Sequence, residues 1–449
     1  MHKLTSWLSW VNRQKIVVLI GAIALGLGAV FPWYQLPPQG LEAFSVNLFW
    51  INIGRLFAAI LALFGFAAVF YYGISRLPRQ LFWIGLVAVL LFPYCVTTLS
   101  PTVSFLATTY SSQNDRVSAH IDRNFSEVQA QWKQSIKLNP SKPTESIFDL
   151  RITDSRFFQM PSWERVWMEG FGYNNSFFSF IGRGWGVTVT GLVISLMGGY
   201  LETEESELHN LLKDLSKLLP SIGILLGIII CSLIWANIAN YNLSEKFAKG
   251  EYQAVIAGSR SLATLYPPFK GDTAFIERLG KAGLYTNQTN LSLVNFIRGL
   301  ESYRLADFDK ARDYFQLSLT EEPKNFIVRG YLASAVFNKG IDYFNGSNQL
   351  NSPKAGGAID LFDQVLEIFP SHVEALYALM IARVVNGQFD KSAQIAKQII
   401  EQNKYFQIQN NSLIGQAYLH MSWNDFASDR IPEAWHLYRQ SIDDSNWRK

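Results

Sequence analysis

The side chains that most often do chemistry are scattered along this sequence. Its six histidines are His2, His120, His209, His372, His420 and His436. His420 and His436 share one stretch, but they are too far apart for the i, i+4 pairing by which a helix holds zinc. The histidines therefore read as surface or packing residues. Cys95 and Cys231 both lie inside apolar runs and neither belongs to a CxxC. They read as small buried hydrophobes, and the sequence leaves open whether they interact. A glycine-rich phosphate loop, an HExxH and a nucleophile elbow are all missing from the sequence. Glu204-Glu205 and Glu321-Glu322 are most simply solvated helix ends. Triplets such as Asn242-Leu243-Ser244 carry no weight without a glycosylating compartment. The expectation is a protein that is not an enzyme and uses no metal or cofactor.

Binding is the chemistry that remains, and hydropathy shows which elements would position it. The chain has 449 residues, 49% of them hydrophobic, and a net charge of +3. Its pI of 8.6 and even charge distribution do not suit a nucleic-acid partner, which calls for a basic stripe. The mean hydropathy of +0.08 conceals long apolar runs before position 240. A membrane helix needs about 20 mainly apolar residues. Five runs qualify: Ile16–Phe31, Ile51–Ile74, Leu81–Leu99, Trp185–Leu201 and Leu218–Ala236. Many aromatics lie near their ends, where amphipathic rings suit the headgroup layer. The first run ends in Val30-Phe31-Pro32-Trp33 with no small-x-small cleavage site, so it reads as a retained span.

Basic residues in short loops set the direction. Lys3, Arg13 and Lys15 precede the first run, and Arg76 and Arg79 lie between the second and third. The first loop, Pro32–Trp50, has Glu42 and no Lys or Arg. This alternation predicts a cytoplasmic N-terminus and, after five spans, a C-terminus in the periplasm or a lumen. Nothing charged lies deep in any run. Arg55 stands near the outer end of the second, where it can snorkel. A pump or ion pathway is disfavoured for that reason. Ala22/Gly26, Ala24/Gly28 and Gly223/Gly227 have the small-xxx-small spacing of close helix packing.

The loop between the third and fourth runs, 101–183, contains one apolar stripe at helical spacing: Val117, Ile121, Phe125, Val128, Trp132 and Ile136. The stripe predicts a helix that covers the membrane part or lies on the bilayer, or one that faces a partner. An aromatic segment follows, from Phe157-Phe158 through Trp163, Trp167 and Phe171 to Phe177-Phe178 and Phe180. It is suited to the membrane interface or to a lipid- or glycan-binding platform.

From 236 onward the pattern turns to helical hairpins. The stretch 292–325 has Gly299 in its first helix, Asp307-Phe308-Asp309-Lys310-Ala311 at the turn, then Phe315, Ser318 and Pro323. The stretch 236–269 has Gly250-Glu251-Tyr252, Val255 and Pro267. In 373–406 the turn is Gly387-Gln388-Phe389-Asp390-Lys391-Ser392, followed by Ala396 and Ile399. Ala358, Phe362, Val365 and Pro370 stand in 326–372, whose helices are separated by a Gly/Ser/Asn-rich insertion. Ala434, Tyr438 and Ser441 stand in 415–448. Small residues let the two helices of a hairpin touch, and aromatics fill the space between hairpins. Residues 270–291 do not fit and read as a linking helix. With no Pro or Gly between Ser232 and Lys249, the fifth span can run directly into the first hairpin.

These hairpins resemble the tetratricopeptide-repeat family, whose unit is about 34 residues. The resemblance covers only the C-terminal half. It implies an α-solenoid with a concave face that holds a peptide or helix of another protein. On that face the resemblance places Leu293, Phe296, Leu300 and Tyr303, then Tyr377, Ile381 and Val384, then Leu419, Trp423 and Phe426. These ten are the expected partner-binding residues, forming an apolar and aromatic groove.

The expected fold is all-α, a polytopic transmembrane helix bundle followed by a tetratricopeptide-like solenoid. Its divisions are 1–100 with three spans, 101–183 as an extracytoplasmic loop domain, 184–236 with two spans, and 237–449 as the repeat domain. The expected function is a membrane-anchored scaffold that binds protein partners on the extracytoplasmic side, as a homo- or hetero-oligomer. The alternative is a structural subunit of an envelope assembly, such as a secretion channel or a septal cell–cell junction. An enzyme of the membrane interface ranks last.

Overall fold

The computed structural model describes residues 13–72, 76–123, 180–201, 207–287, 290–346, 354–406 and 409–444. Among them, seventeen α-helices account for nearly all regular structure. The one β feature is an isolated antiparallel bridge between Tyr34 and Ile181. Contacts divide the chain into two compact units, one made of 1–35, 47–100 and 161–241, the other of 36–46, 101–160 and 242–449.

The first unit contains α1 (Arg13–Val30), α3 (Leu48–Ala67, prolonged by a π turn, Ala68–Tyr72), α4 (Arg76–Leu99) and α6 (Arg183–Tyr200). Four of the five apolar runs lie on these helices. The fifth lies on α7 (Glu207–Ala248). Among the described residues, three stretches are long and apolar enough to cross a membrane: Arg13–Val30, Ile51–Phe70 and Ile222–Ala248. This is the mark of a membrane protein. In α4 the apolar part is shorter, Arg79–Phe92. Helix α6 is diluted by Gly184, Gly186, Thr188, Thr190, Gly191, Ser195, Gly198 and Gly199.

That dilution has a packing cause. Helices α1 and α6 run antiparallel at backbone contact. A Cβ on Gly21 would lie 2.8 Å from both the Gly191 oxygen and the Ser195 nitrogen. A Cβ on Gly191 would lie 2.9 Å from the Leu25 nitrogen, and one on Gly198 2.9 Å from the Val18 nitrogen. Only small residues permit such an approach. The buried hydroxyls of Thr188 and Ser195 donate to the carbonyls of Gly184 (2.7 Å) and Gly191 (2.8 Å), one turn back on their own helix. The spacing that matters is seven residues: Gly21 and Gly28 on α1, and Gly184, Gly191 and Gly198 on α6. Of the pairs singled out from sequence, Gly26, Gly223 and Gly227 meet nothing.

The end of α1 is pinned from α3. Arg55 donates through Nε to the Ala29 carbonyl and through Nη2 to that of Val30, both at 3.0 Å. A cation on the last free carbonyls of a helix is favourable. Trp33 is buried, donates to the Gly28 carbonyl at 2.9 Å and packs edge-on to Phe92. Trp185 bonds the Val89 carbonyl, and Trp83 the Tyr200 hydroxyl.

The second unit contains α2 (Pro38–Ala43), α5 (Pro101–Arg123), the C-terminal end of α7, and a run of helices. They are α8 (Tyr252–Leu265), α9 (Thr273–Tyr285), α10 (Leu291–Arg304), α11 (Phe308–Glu321), α12 (Phe326–Gly346), α13 (Lys354–Ile368), α14 (Val373–Val385), α15 (Phe389–Asn403), α16 (Asn411–Ala427) and α17 (Ile431–Asp444). From α8 to α17 each helix packs on its neighbour in sequence, except that a 3-10 turn, Pro267–Gly271, mediates between α8 and α9 as well. Helix α9 falls where the sequence asked for a linking helix.

Four turns between the helices from α7 to α17 share one geometry. Gly250, Ala306, Gly387 and Asp429 have positive φ. The next residue's N–H reaches back over the helix end: Glu251 to Lys246 (2.9 Å), Asp307 to Ser302 (3.0 Å), Gln388 to Arg383 (2.8 Å) and Arg430 to Asp425 (2.9 Å). This closing bond is the Schellman motif, which satisfies carbonyls left free at a helix end. Val255, Ala311, Ser392 and Ala434 occupy the fourth place in the helices that follow these turns and are fully buried, as is Ala358 at the fifth place of α13. Gly299 accommodates the Phe315 ring and Gly340 the Phe362 ring, with no room for a Cβ.

Residues 101–123 pack within this unit, where Val117 and Ile121 of the expected apolar stripe are buried. The rest of that loop, with Phe125, Val128, Trp132, Ile136 and the aromatic segment from Phe157 to Phe178, lies outside the described residues. Cys231 is exposed on α7 and not buried as expected.

Candidate functional site: a helix seated among the hairpins

Helix α5 begins one residue after α4 ends, at Pro101, whose fixed φ suits a first helical position. Val103 to Ala107 and Thr109 are all buried, and from Tyr110 on the buried residues Tyr110, Gln113, Val117, His120 and Ile121 follow each other at spacings of three and four, apart from the last step. That is one face of a helix. It packs on α14, α16 and the Pro267–Gly271 turn.

The seat is polar as well as apolar. Arg116 forms a two-pronged ion pair with Glu374 on α14, Nε to Oε1 at 2.6 Å and Nη2 to Oε2 at 3.2 Å. Its Nη1 donates to Ser112 on its own helix. The Glu374 side chain is fully buried, while that of Arg116 is 37% exposed. Burial pushes the Glu374 carboxyl above the ordinary carboxylate range, and Arg116 only partly offsets this. The Gln113 amide oxygen accepts from the Val373 N–H at 3.0 Å, occupying a free donor at the start of α14. Asn410 donates to the backbone and side-chain oxygens of Asn114, both at 3.0 Å. Ser412 donates to Asp122 at 2.8 Å. Tyr110 shares a hydrogen bond with Ser371.

The segment before α3 joins the same packing. Phe44 lies against Phe105 and, edge-on at 4.7 Å, against Phe369. Arg329 stacks over Phe44. Gly40 leaves room for the Tyr110 hydroxyl.

Most of the residues expected to line an open groove are covered by the chain itself. Phe296, Leu300, Tyr303, Tyr377, Ile381, Val384, Leu419 and Trp423 are buried. Phe296 and Tyr303 meet across Tyr331, and Tyr303 accepts from Asn338 at 3.0 Å. Tyr377 takes the His120 ring of α5 edge-on. Val384, Leu419 and Trp423 form one cluster with Phe389 and Tyr438. All eight side chains are enclosed within this unit. Packing between neighbouring helices removes them from solvent, and α5 adds its contact with Tyr377. Leu293 and Phe426 remain partly exposed.

The buried histidines are packing residues. His372 accepts from the Ala375 N–H at 3.2 Å, capping α14, and burial holds its pKa down to about 3. His420 is likewise pushed down to about 3 by burial, and its Nδ1 is bonded to Ser392. Both are neutral at ordinary pH.

An open cleft of about 620 Å³ lies elsewhere in this unit, lined by Phe269, Phe275, Ile276, Leu279, Leu293 and Phe326 among others. A smaller one of about 180 Å³ adjoins it, sharing Leu279 and Leu293. Sequence reasoning missed this cleft because 270–291 was set aside as a linker. The departure of that stretch from the repeat pattern was itself the signal.

The fold and these contacts define a class, a helical membrane protein carrying an array of helical hairpins. No protein-family model and no curated protein matches the sequence.

Proposed function

We propose that this protein is a membrane-anchored scaffold whose hairpin array is a tetratricopeptide-like solenoid that binds other proteins. The observation that carries the reading is α7. One uninterrupted helix contains both an apolar stretch fit to span a membrane and the first helix of the array. Stacked helical hairpins bury a continuous core and offer extended surfaces to partners, and here such an array follows an apolar stretch within one helix.

In this reading α1, α3, α4, α6 and α7 are five spans, with the N-terminus cytoplasmic and the array in the periplasm or a lumen. Connectivity supports it. The chain passes into the second unit after α1, α4 and α7 and returns before α3 and α6, the order that alternating spans require. Arg13, Lys15, Arg76 and Arg79 stand at the opposite ends. With Cys95 and Cys231 replaced by alanine, a cysteine at Asp429 is expected to react with an impermeant maleimide in right-side-out vesicles. One at Arg13 is expected to react only after permeabilisation. The reverse pattern would refute the orientation.

A second reading, a structural subunit of an envelope assembly, is favoured by one observation. In α7 Ile224, Leu226, Ile228, Ile230, Ile234 and Trp235 are exposed, a surface that copies of the chain could share in place of lipid. Native mass after extraction in mild detergent separates the readings. Different bound proteins support the scaffold, and a closed ring of copies supports the assembly. A bare monomer sinks both.

A further inference from the structure

Where α9 packs between α8 and α10, an apolar cleft opens in the second unit beside a smaller one that shares Leu279 and Leu293 with it. We infer that this cleft binds an amphipathic, acidic segment of a partner protein. Its partly exposed apolar lining is Ile276, Leu279, Leu293 and Phe326, of which Leu279 and Leu293 also line the smaller cleft.

The rim determines the charge of the occupant. Arg260, Lys270 and Lys324 border the cleft, are exposed, and have no acidic partner among the described residues. The one carboxylate at the rim, Glu322, is occupied on both oxygens, by Asn290 at 3.2 Å and Asn325 at 3.1 Å. Asn290 and Asn325 are committed in turn, since their oxygens accept the N–H groups of Leu293 and Val328. Three free cations around an apolar trough suit leucine-like side chains flanked by aspartate or glutamate. Two neighbouring clefts divided by Leu279 and Leu293 suit a run of side chains better than one compact ligand. Complementary charge at such a rim selects the partner and speeds its encounter. The position agrees with the one half-open member of the groove set in this part of the array, Leu293.

The inference rests on the scaffold reading and can fail separately from it. The test uses the full chain in neutral-lipid nanodiscs and two fluorescent synthetic helical peptides with the same leucine pattern, one with glutamates and one with lysines. Anisotropy is expected to show the Leu/Glu peptide binding roughly tenfold or more tighter than the Leu/Lys peptide, a difference of about 1.4 kcal/mol. The exposed double variant K270E/K324E is expected to reverse that preference, and L293W to remove binding of both. Equal binding of the two peptides, or no change in the variants, overturns the proposal. So does displacement of the Leu/Glu peptide by a soluble short-chain anionic phospholipid when the neutral one does not compete, because lipid would then be the occupant. If wild type and K270E/K324E both yield the same native complex with other proteins, the scaffold stands and the cleft is not its site.

Discussion

Replacing Arg116 by alanine is expected to cost about 3–5 kcal/mol of stability in the array, the usual consequence of leaving a buried charge unpaired. Glu374 is fully buried and its cation comes from α5. Exposure of part of the Arg116 side chain places the loss toward the lower end. The double variant R116A/E374Q should recover most of it, because glutamine brings no charge into the interior. R116A is also expected to be pH-dependent. With its cation gone, the upward push of burial on Glu374 is unopposed. A carboxyl raised in the folded state favours folding while it is protonated. The deficit should therefore be small below its ordinary value of 4.5 and grow as pH rises through the folded-state value. Thermal unfolding of the two variants across pH checks this. Equal stability of R116A and wild type at neutral pH would mean that α5 is not held by this pair.

The second large effect is expected in the bundle. G21V and G191L each force a side chain into the backbone of the facing helix, where a Cβ alone would sit under 3.0 Å from backbone atoms. Overpacking of this kind costs about 1–3 kcal/mol, and here a side chain cannot yield because its neighbours are main chain. G26V and G186L are the controls, since a Cβ at either glycine meets nothing within 4 Å. Unfolding in a graded SDS mixture should separate the two pairs. If all four variants behave alike, the α1–α6 contact is not the close one.

Much of the fold was legible because two periods dominate the sequence. Five apolar runs fall on α1, α3, α4, α6 and α7, and the turn residues Gly250 and Gly387 fall where φ is positive. What was not legible is tertiary. The α1–α6 contact depends on glycines spaced by seven, which hydropathy ignores and which lower the apolar score of α6. The seat of α5 was hidden because its buried face mixes Ser104, Thr109, Tyr110, Gln113 and His120 with aliphatic residues, so only Val117 and Ile121 stood out as a stripe. Polar residues on a buried face make sense only beside the donors and acceptors of α14 and α16, and these are more than 250 residues away in sequence. The ten groove positions were chosen from the repeat pattern alone, which carries no information about a helix from elsewhere in the chain.

Hydrogen exchange of the full chain in nanodiscs tests most directly whether the array is closed around its own helix. Backbone amides of α5 from Phe105 to Ile121 are predicted to exchange as slowly as those of α14, since both open only when the seat comes apart. Rapid exchange throughout α5 while α14 stays protected would contradict this. The groove would then be open, and Tyr377 and Ile381 would become its binding surface.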